Sequence, residues 1–340
     1  RADPSVTKKV EVANLDDSIT AKVAVSIGDF QAIETMKVRA VLEPFGLQVT
    51  PESLNVPGQK FEGTVVDNRI EGVFEIAHPR YDGAGAPPFP PDFSDDPALA
   101  PYLEPGPLVE SDDAVLIEHA KALTAGSADS WEAVRRISEW VASEIQYAIP
   151  GGGTARRTYD MRAGECGAHS NLVAGLSRAV GIPARVVWGS MYIPNFGGAF
   201  GQHGWNEVYM GEAGWIPIDA TANETDYVDS GHVRIGVHES LTTGFNPIEM
   251  EVLAHTLTGA DTTGADDARY AEFLGTFAHP QAPDRAFEVS VQGGGLVATL
   301  PGQVALALND PDDRGRWVAK ASDRVYICLL YTSDAADDLA

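Results

Sequence analysis

The sequence predicts an α+β fold: a helix carrying a cysteine in its first turn, packed on an antiparallel sheet, with β-rich regions on both sides. Three observations predict it. Much of residues 8–76 alternates apolar with small or polar side chains, as half-buried strands do. From Ser111 to Val180 the apolar spacing changes to three and four residues, the period of a helix. Short apolar runs between Ala184 and Ile218 then return to strand character.

Taken in order, Val23, Val25 and Ile27 alternate with small or polar residues, as do Val38, Ala40 and Leu42. Pro44, Gly46, Pro51, Pro57 and Gly58 punctuate these runs, which predicts a small sandwich or barrel-like domain over 1–78. Residues 79–107 are dense in Pro, Gly and Asp and predict a linker or an ordered wrap. Ser111-Asp112-Asp113 can cap a helix running to about Leu123, and a second helix is expected from a Ser130 cap, with Ile137, Val141 and Ile145 on one face. Gly151-Gly152-Gly153 reads as a flexible break. Cys166 to Val180 follows as a helix, with Leu172, Leu176 and Val180 four apart and Gly181 as its stop. Strands are expected at 184–188, 205–209 and 215–218. These elements make up a central domain over 108–258. A β-rich region is expected over 259–327, clearest at 287–291 and 296–300.

Composition narrows the function. The chain has 340 residues with a formal charge of -25, and seven of its 24 basic residues are lysine. Nucleic-acid binding needs clustered cations, so nucleic acid is not an expected partner. No apolar run approaches the roughly 20 residues of a membrane helix. The chain opens at Arg1 with neither an initiator Met nor a signal sequence, so a fragment or mature form is expected. Cys328 to Asp337 resembles the translation of a transposase-type sequencing-library adapter. Residues 328–340 are therefore expected to be an artefactual tail, which leaves Cys166 as a lone thiol without a disulfide partner.

The chemistry lies in three short stretches. Gly164-Glu165-Cys166-Gly167-Ala168-His169 opens the central helix, His203-Gly204-Trp205-Asn206-Glu207-Val208 follows 37 residues after the cysteine, and Trp215-Ile216-Pro217-Ile218-Asp219 ends 16 residues after the histidine. A thiol with the usual pKa near 8.5 is mostly protonated at neutral pH and needs an activator. A helix N-terminus favours the thiolate, and its free N–H groups, that of Gly167 among them, can bind an oxyanion. His203 is the expected base and acid, and Asp219 the residue that fixes its tautomer. Each has an ordinary explanation by itself: a small buried hydrophobe, a core histidine beside Trp205, a turn former before Thr221.

Together with Arg162-Ala163-Gly164 and Leu176-Ser177-Arg178-Ala179-Val180-Gly181-Ile182-Pro183-Ala184-Arg185, these stretches resemble the transglutaminase-like core, a papain-like branch of thiol enzymes. The resemblance spans about Val134 to Ala222. It implies a papain-like topology, a catalytic triad of Cys166, His203 and Asp219, and acyl transfer from a peptide or side-chain amide to water or an amine. Animal relatives also use a tryptophan upstream of the cysteine and need calcium. Here Tyr147 stands in the corresponding loop, as a candidate oxyanion donor, and no calcium loop is present. His169 is read as a supporting or surface residue. A zinc site from Cys166, His169 and His203 lacks paired Cys or His spacing, so no metal or cofactor is expected. Gly197 to Gly201 is a candidate mobile loop over the site, and Met191 to Phe196 a candidate acyl-binding groove.

The resulting expectation is a thiol enzyme acting on protein or peptide substrates, hydrolysis being favoured over cross-linking. The rival is a catalytically silent peptide- or cell-wall-binding module on the same fold. An extracytoplasmic setting is favoured.

Overall fold

The computed structural model describes residues 20–23, 25, 27–93, 95–194, 198–237, 244–258 and 273, and the strand segments within 275–327. Seventeen strands and four α-helices are assigned among them. The adapter-like tail and residues 195–197 lie outside the described residues.

The central sheet is built on a long hairpin, β7 (Ala184–Ile193) and β8 (Ala199–Tyr209), paired antiparallel. The far edge of β8 takes β1 (Thr20–Lys22) at one end and β9 (Trp215–Ile218) at the other. The far edge of β7 takes β10 (His232–Val237). The expected strands at 184–188, 205–209 and 215–218 are all present, the first two longer than expected. The Val23–Ile27 alternation falls just past β1.

A second sheet has the order β11-β2-β4-β3, from β2 (Ile33–Phe45), β3 (Gln59–Val66), β4 (Arg69–Ile76) and β11 (Gly244–Leu257). Its β11 comes from more than 160 residues downstream and pairs along nearly the whole of β2. Val38, Ala40 and Leu42 point inward and are fully buried. They share a core with Met191, Tyr192, Phe200, Val233 and Ile235 of the central sheet. The second sheet therefore closes one face of the first instead of burying an independent core.

Helices cover the other side. They are α1 (Ala114–Leu123), α2 (Ser130–Glu144), α3 (Ala155–Met161) and α4 (Cys166–Ala179). Asp113 caps α1 by accepting from the Val115 and Leu116 N–H groups. The cap of α2 is Asp129, one residue before the expected Ser130, because its carboxylate accepts the Glu132 N–H at 2.8 Å. Leu116, Val134, Ile137, Val141, Leu172 and Leu176 form one buried cluster with Ala184, Val186, Val208 and Ile218. Each Leu, Ile or Val among them contributes about 1.5–3 kcal/mol by leaving water.

Two further stretches, 79–107 and 151–161, are fixed by specific contacts, the first as the wrap that was one of its two expected forms. The Pro/Gly-rich stretch is an ordered wrap: Ser130 N donates to Pro87 O, Arg178 Nη1 donates to Glu104 O, and Phe93 and Tyr102 pack edge-on against Tyr209 and Trp215. The triple glycine is held in place, since Gly152 N donates to Ala163 O and Asn171 Nδ2 to Gly153 O. The helix after it, α3, was not expected. Thr154 caps it by accepting the Arg157 N–H.

Beyond these sheets, β12 (Gly275–His279), β13 (Ala282–Gln292), β14 (Gly295–Thr299) and β15 (Ala305–Ala307) pair in sequence order, and β16 (Trp317–Ala319) pairs with β17 (Ser322–Ile327). The strands expected at 287–291 and 296–300 are β13 and β14.

Candidate active site

Cys166 is the first residue of α4 and is buried, 8% exposed. Glu165 caps the helix, its two carboxylate oxygens accepting from Gly167 N at 2.7 Å and Ala168 N at 3.0 Å. The Cys166 thiol donates to the same carboxylate at 3.3 Å. The Gly167 N–H, expected to face an oxyanion, is therefore committed to Glu165. Sequence reasoning passed over this glutamate, although a carboxylate just before a helix is a strong cap signal.

The helix is pinned to the hairpin by two polar side chains. Ser170 Oγ is 2.9 Å from Cys166 O and 3.0 Å from Gly204 O, and Asn206 Nδ2 donates to Ser170 O at 2.9 Å. This clamp sets Cys166 opposite His203 on β8. Gly189 lies across from His203 in the register, and a Cβ there would press on the Trp205 ring at 2.6 Å. Its absence leaves room for Trp205 to stack on His203, with centroids 6.1 Å apart and planes at 19°.

His203 joins the other two groups. Its Nε2 donates to Asp219 Oδ2, and Cys166 lies near enough to help raise its pKa. With Nε2 committed to the carboxylate, Nδ1 is the nitrogen left to serve the thiol. Burial by itself lowers the histidine pKa, but the Asp219 charge and hydrogen bond, with a smaller share from Cys166, outweigh it and hold His203 up at about 9. Asp219 follows β9 and is 1% exposed. Burial raises its pKa, yet the two histidines that it binds hold it well below the ordinary carboxylate range. Its Oδ1 accepts from Thr221 N at 2.8 Å and Ala222 N at 3.2 Å.

The second histidine is His232, at the start of β10, and it was not anticipated from the sequence. Its Nε2 donates to the same Asp219 Oδ2 at 3.2 Å. The structure thus brings Cys166, His203, Asp219 and Trp205 together and adds Glu165 and His232.

Tyr147 lines the same cleft as Cys166 and is 57% exposed. Desolvation, then the neighbouring Cys166 and Glu165, push its phenol up to about 12, so it is a proton donor at neutral pH. His169 is buried and faces elsewhere: its Nδ1 meets Glu165 O at 2.9 Å and its Nε2 meets Ile145 O at 3.1 Å. Both nitrogens are spent on backbone carbonyls, so His169 completes no zinc triple with Cys166 and His203. Among the described residues, two other triples bring possible ligand atoms within 4.8 Å of one another: His203, Asp219 and His232, and Glu224, Asp229 and His232. In the first, imidazole N–H groups, not lone pairs, point at the carboxylate.

The cleft above the thiol has a volume of about 560 Å³ and is walled mainly by apolar and aromatic side chains, among them Phe30, Ile149, Trp188, Met191 and Ile193. Among the described residues that line it, Glu165 is the only carboxylate, and there is no lysine or arginine. Met191 and Ile193 lie where the sequence placed an acyl-binding groove. Below the site, Glu207 ties β8 to both neighbours: Arg185 Nε donates to it at 2.6 Å and Arg234 Nε at 2.9 Å.

Residues 117–220, which contain Cys166, His203 and Asp219, match the model of the transglutaminase-like superfamily. No curated protein matches the chain. Similar solved structures include a candidate cysteine protease from Cytophaga hutchinsonii (18% identity, 68% of this chain and 93% of that one, TM-score 0.47). They also include the periplasmic domain of TgpA from Pseudomonas aeruginosa (17% identity, 60% of this chain and 93% of that one, TM-score 0.36). A candidate protease from Parabacteroides distasonis is more distant (14% identity, 66% of this chain and 48% of that one, TM-score 0.27). Residues 117–220 form a domain of the transglutaminase-like superfamily.

Proposed function

We propose that this protein catalyses cysteine-dependent acyl transfer on peptide or side-chain amides, with water as the acceptor. The observation that carries the reading is His203, buried in the same cleft wall as Cys166 with its Nε2 bound to Asp219. Cys166 Sγ, as a thiolate paired with the His203 imidazolium, attacks the amide carbonyl. His203 then protonates the departing amine, and a thioester forms on Cys166. Water, activated by His203, displaces the sulfur and releases the acid. Asp219 fixes the tautomer and stabilises the imidazolium. The Cys166 N–H, outside the Glu165 cap, and the Tyr147 hydroxyl are the proposed oxyanion donors.

Water is favoured over an amine because Tyr147 and Ile149, which line the cleft, are 57% and 73% exposed, so the cleft admits solvent. Amine transfer requires that water be kept out. The walls suit an uncharged, apolar group beside the scissile amide. An extracytoplasmic setting is part of the proposal, supported by the acidic, lysine-poor composition.

The test is turnover of casein with and without a dansylated amine, followed by mass spectrometry. The account expects cleaved or deamidated products, no amine incorporation, and complete loss in Cys166→Ala. Incorporation of the amine exceeding hydrolysis overturns the choice of acceptor. Peptide binding without turnover supports the silent-module reading.

A further inference from the structure

Asp219 Oδ2 is shared between two histidines, and only one of them serves the thiol. His232 is fully buried and sits behind the site, its ring 5.5 Å from that of His203 and edge-on to Trp205 at 5.2 Å. Its Nε2 donates to Asp219, and its Nδ1 donates to the Asp229 backbone O at 3.2 Å, with the charged Asp229 Oδ2 3.3 Å away. Asp229 in turn stands against Glu224, whose Oε2 accepts the Asp229 N–H at 2.9 Å. All three residues lie beyond the 117–220 segment.

The polar atoms at the far end explain the arrangement. Glu224 Oε1 and Asp229 Oδ2 are both buried without a donor. Two bare carboxylates cannot be stable there. One proton shared between them satisfies both, and burial, with the Asp229 charge, holds Glu224 well above the ordinary carboxylate range. Charge then balances inside the protein: two imidazoliums against the Asp219 and Asp229 carboxylates. His232 is held up at about 9, since the Asp229 charge and the Asp219 hydrogen bond outweigh its burial.

We propose that His232 is a positioning residue of the site, a standing buried cation that holds Asp219 from behind through the His232–Asp229–Glu224 relay. The inference rests on the catalytic roles proposed above for Cys166 and His203. When His203 gives its proton to the leaving amine, Asp219 loses its cationic partner. A buried, uncompensated carboxylate would draw that proton back. His232 keeps Asp219 paired throughout the cycle and so lets the proton go. Other charged groups around the relay are fixed: the His78 ring, kept neutral by burial, donates Nε2 to His232 O at 3.1 Å, Glu207 is paired with Arg234 and Arg185, and Tyr227 beside Glu224 stacks under Arg80.

The experiment is the pH profile of Cys166 alkylation by iodoacetamide in the full chain, comparing wild type, His232→Gln and Asp229→Asn. Gln keeps a donor to Asp219 but removes the charge; Asn removes the anion that keeps His232 charged. Both variants should move the His203 inflection upward from near pH 9, by about half a unit or more. On casein both should lower kcat with little change in KM, and His232→Gln should retain more activity than His232→Leu. An inflection that stays put or moves down in folded His232→Gln and Asp229→Asn overturns the proposal. Failure of the underlying reading looks different: Cys166→Ala would then retain wild-type turnover.

Discussion

Replacing Asp219 with Asn separates the charge of this residue from its shape. The orientation of the new amide is set by the backbone: the Oδ1 position accepts two N–H groups, from Thr221 and Ala222, so the amide oxygen must sit there. The amide NH2 then points at the Nε2 atoms of both His203 and His232. Donor meets donor, and each imidazole must give up its Nε2 proton or swing away. His203 should fall from about 9 to below its usual 6.5, since burial is left without the carboxylate that outweighs it. Losing one member of a buried charged cluster costs about 3–5 kcal/mol of stability. Losing the oriented acid and base should cost about 10²- to 10⁴-fold in kcat/KM on amides. The assay is a pH–rate profile for casein hydrolysis, with a urea melt to read stability. An alkaline limb that stays near pH 9 in Asp219→Asn, with kcat/KM within tenfold of wild type, would refute the reasoning.

The remaining expectations concern pH, the helix clamp and the cleft. His203 and His232 have folded pKa values raised to about 9 from 6.5, so the stability they confer is full below pH 6.5 and is lost as pH rises through 9. Asp219 acts with the opposite sign: its contribution is present above pH 3.8 and is lost only as pH falls through its depressed folded value. Urea midpoints should therefore drop between pH 6.5 and 9.5, and a flat profile there contradicts the raised histidines. Asn206→Leu removes the side-chain hydrogen bond from β8 to Ser170 O, which keeps its helical partner, for a loss of about 0.5–1.5 kcal/mol by urea melt. It should also slow Cys166 alkylation, because α4 loosens from β8; unchanged rates would detach the clamp from the site. Trp188→Ala at the cleft wall should raise KM for substrates with an apolar group beside the amide more than it lowers kcat, as steady-state kinetics would show.

How much of this was legible beforehand depends on whether a feature is local. Cys166, His203 and Asp219 stood out because their residue types and neighbours carry the chemistry within short stretches. The helices at 114–123, 130–144 and 166–179 followed from caps and apolar spacing, and Gly181 ends the last of them with a φ of 83°. What the sequence concealed depends on long-range pairing. His232 reaches Asp219 only because β10 folds against β7, and Glu224 and Asp229 become partners only once the chain between Asp219 and His232 is closed. The pairing of β11 with β2 is invisible for the same reason, since nothing in Gly244–Leu257 names its partner. Gly167 was misjudged for another cause: an open helix N-terminus was assumed where Glu165 supplies its own anion.

The most direct test of the central claim is the iodoacetamide alkylation rate of Cys166 at pH 7, in wild type and His203→Ala. The account predicts fast labelling in the wild type and at least tenfold slower labelling without the imidazolium that stabilises the thiolate. Equal rates in the two folded proteins would contradict a Cys166–His203 pair.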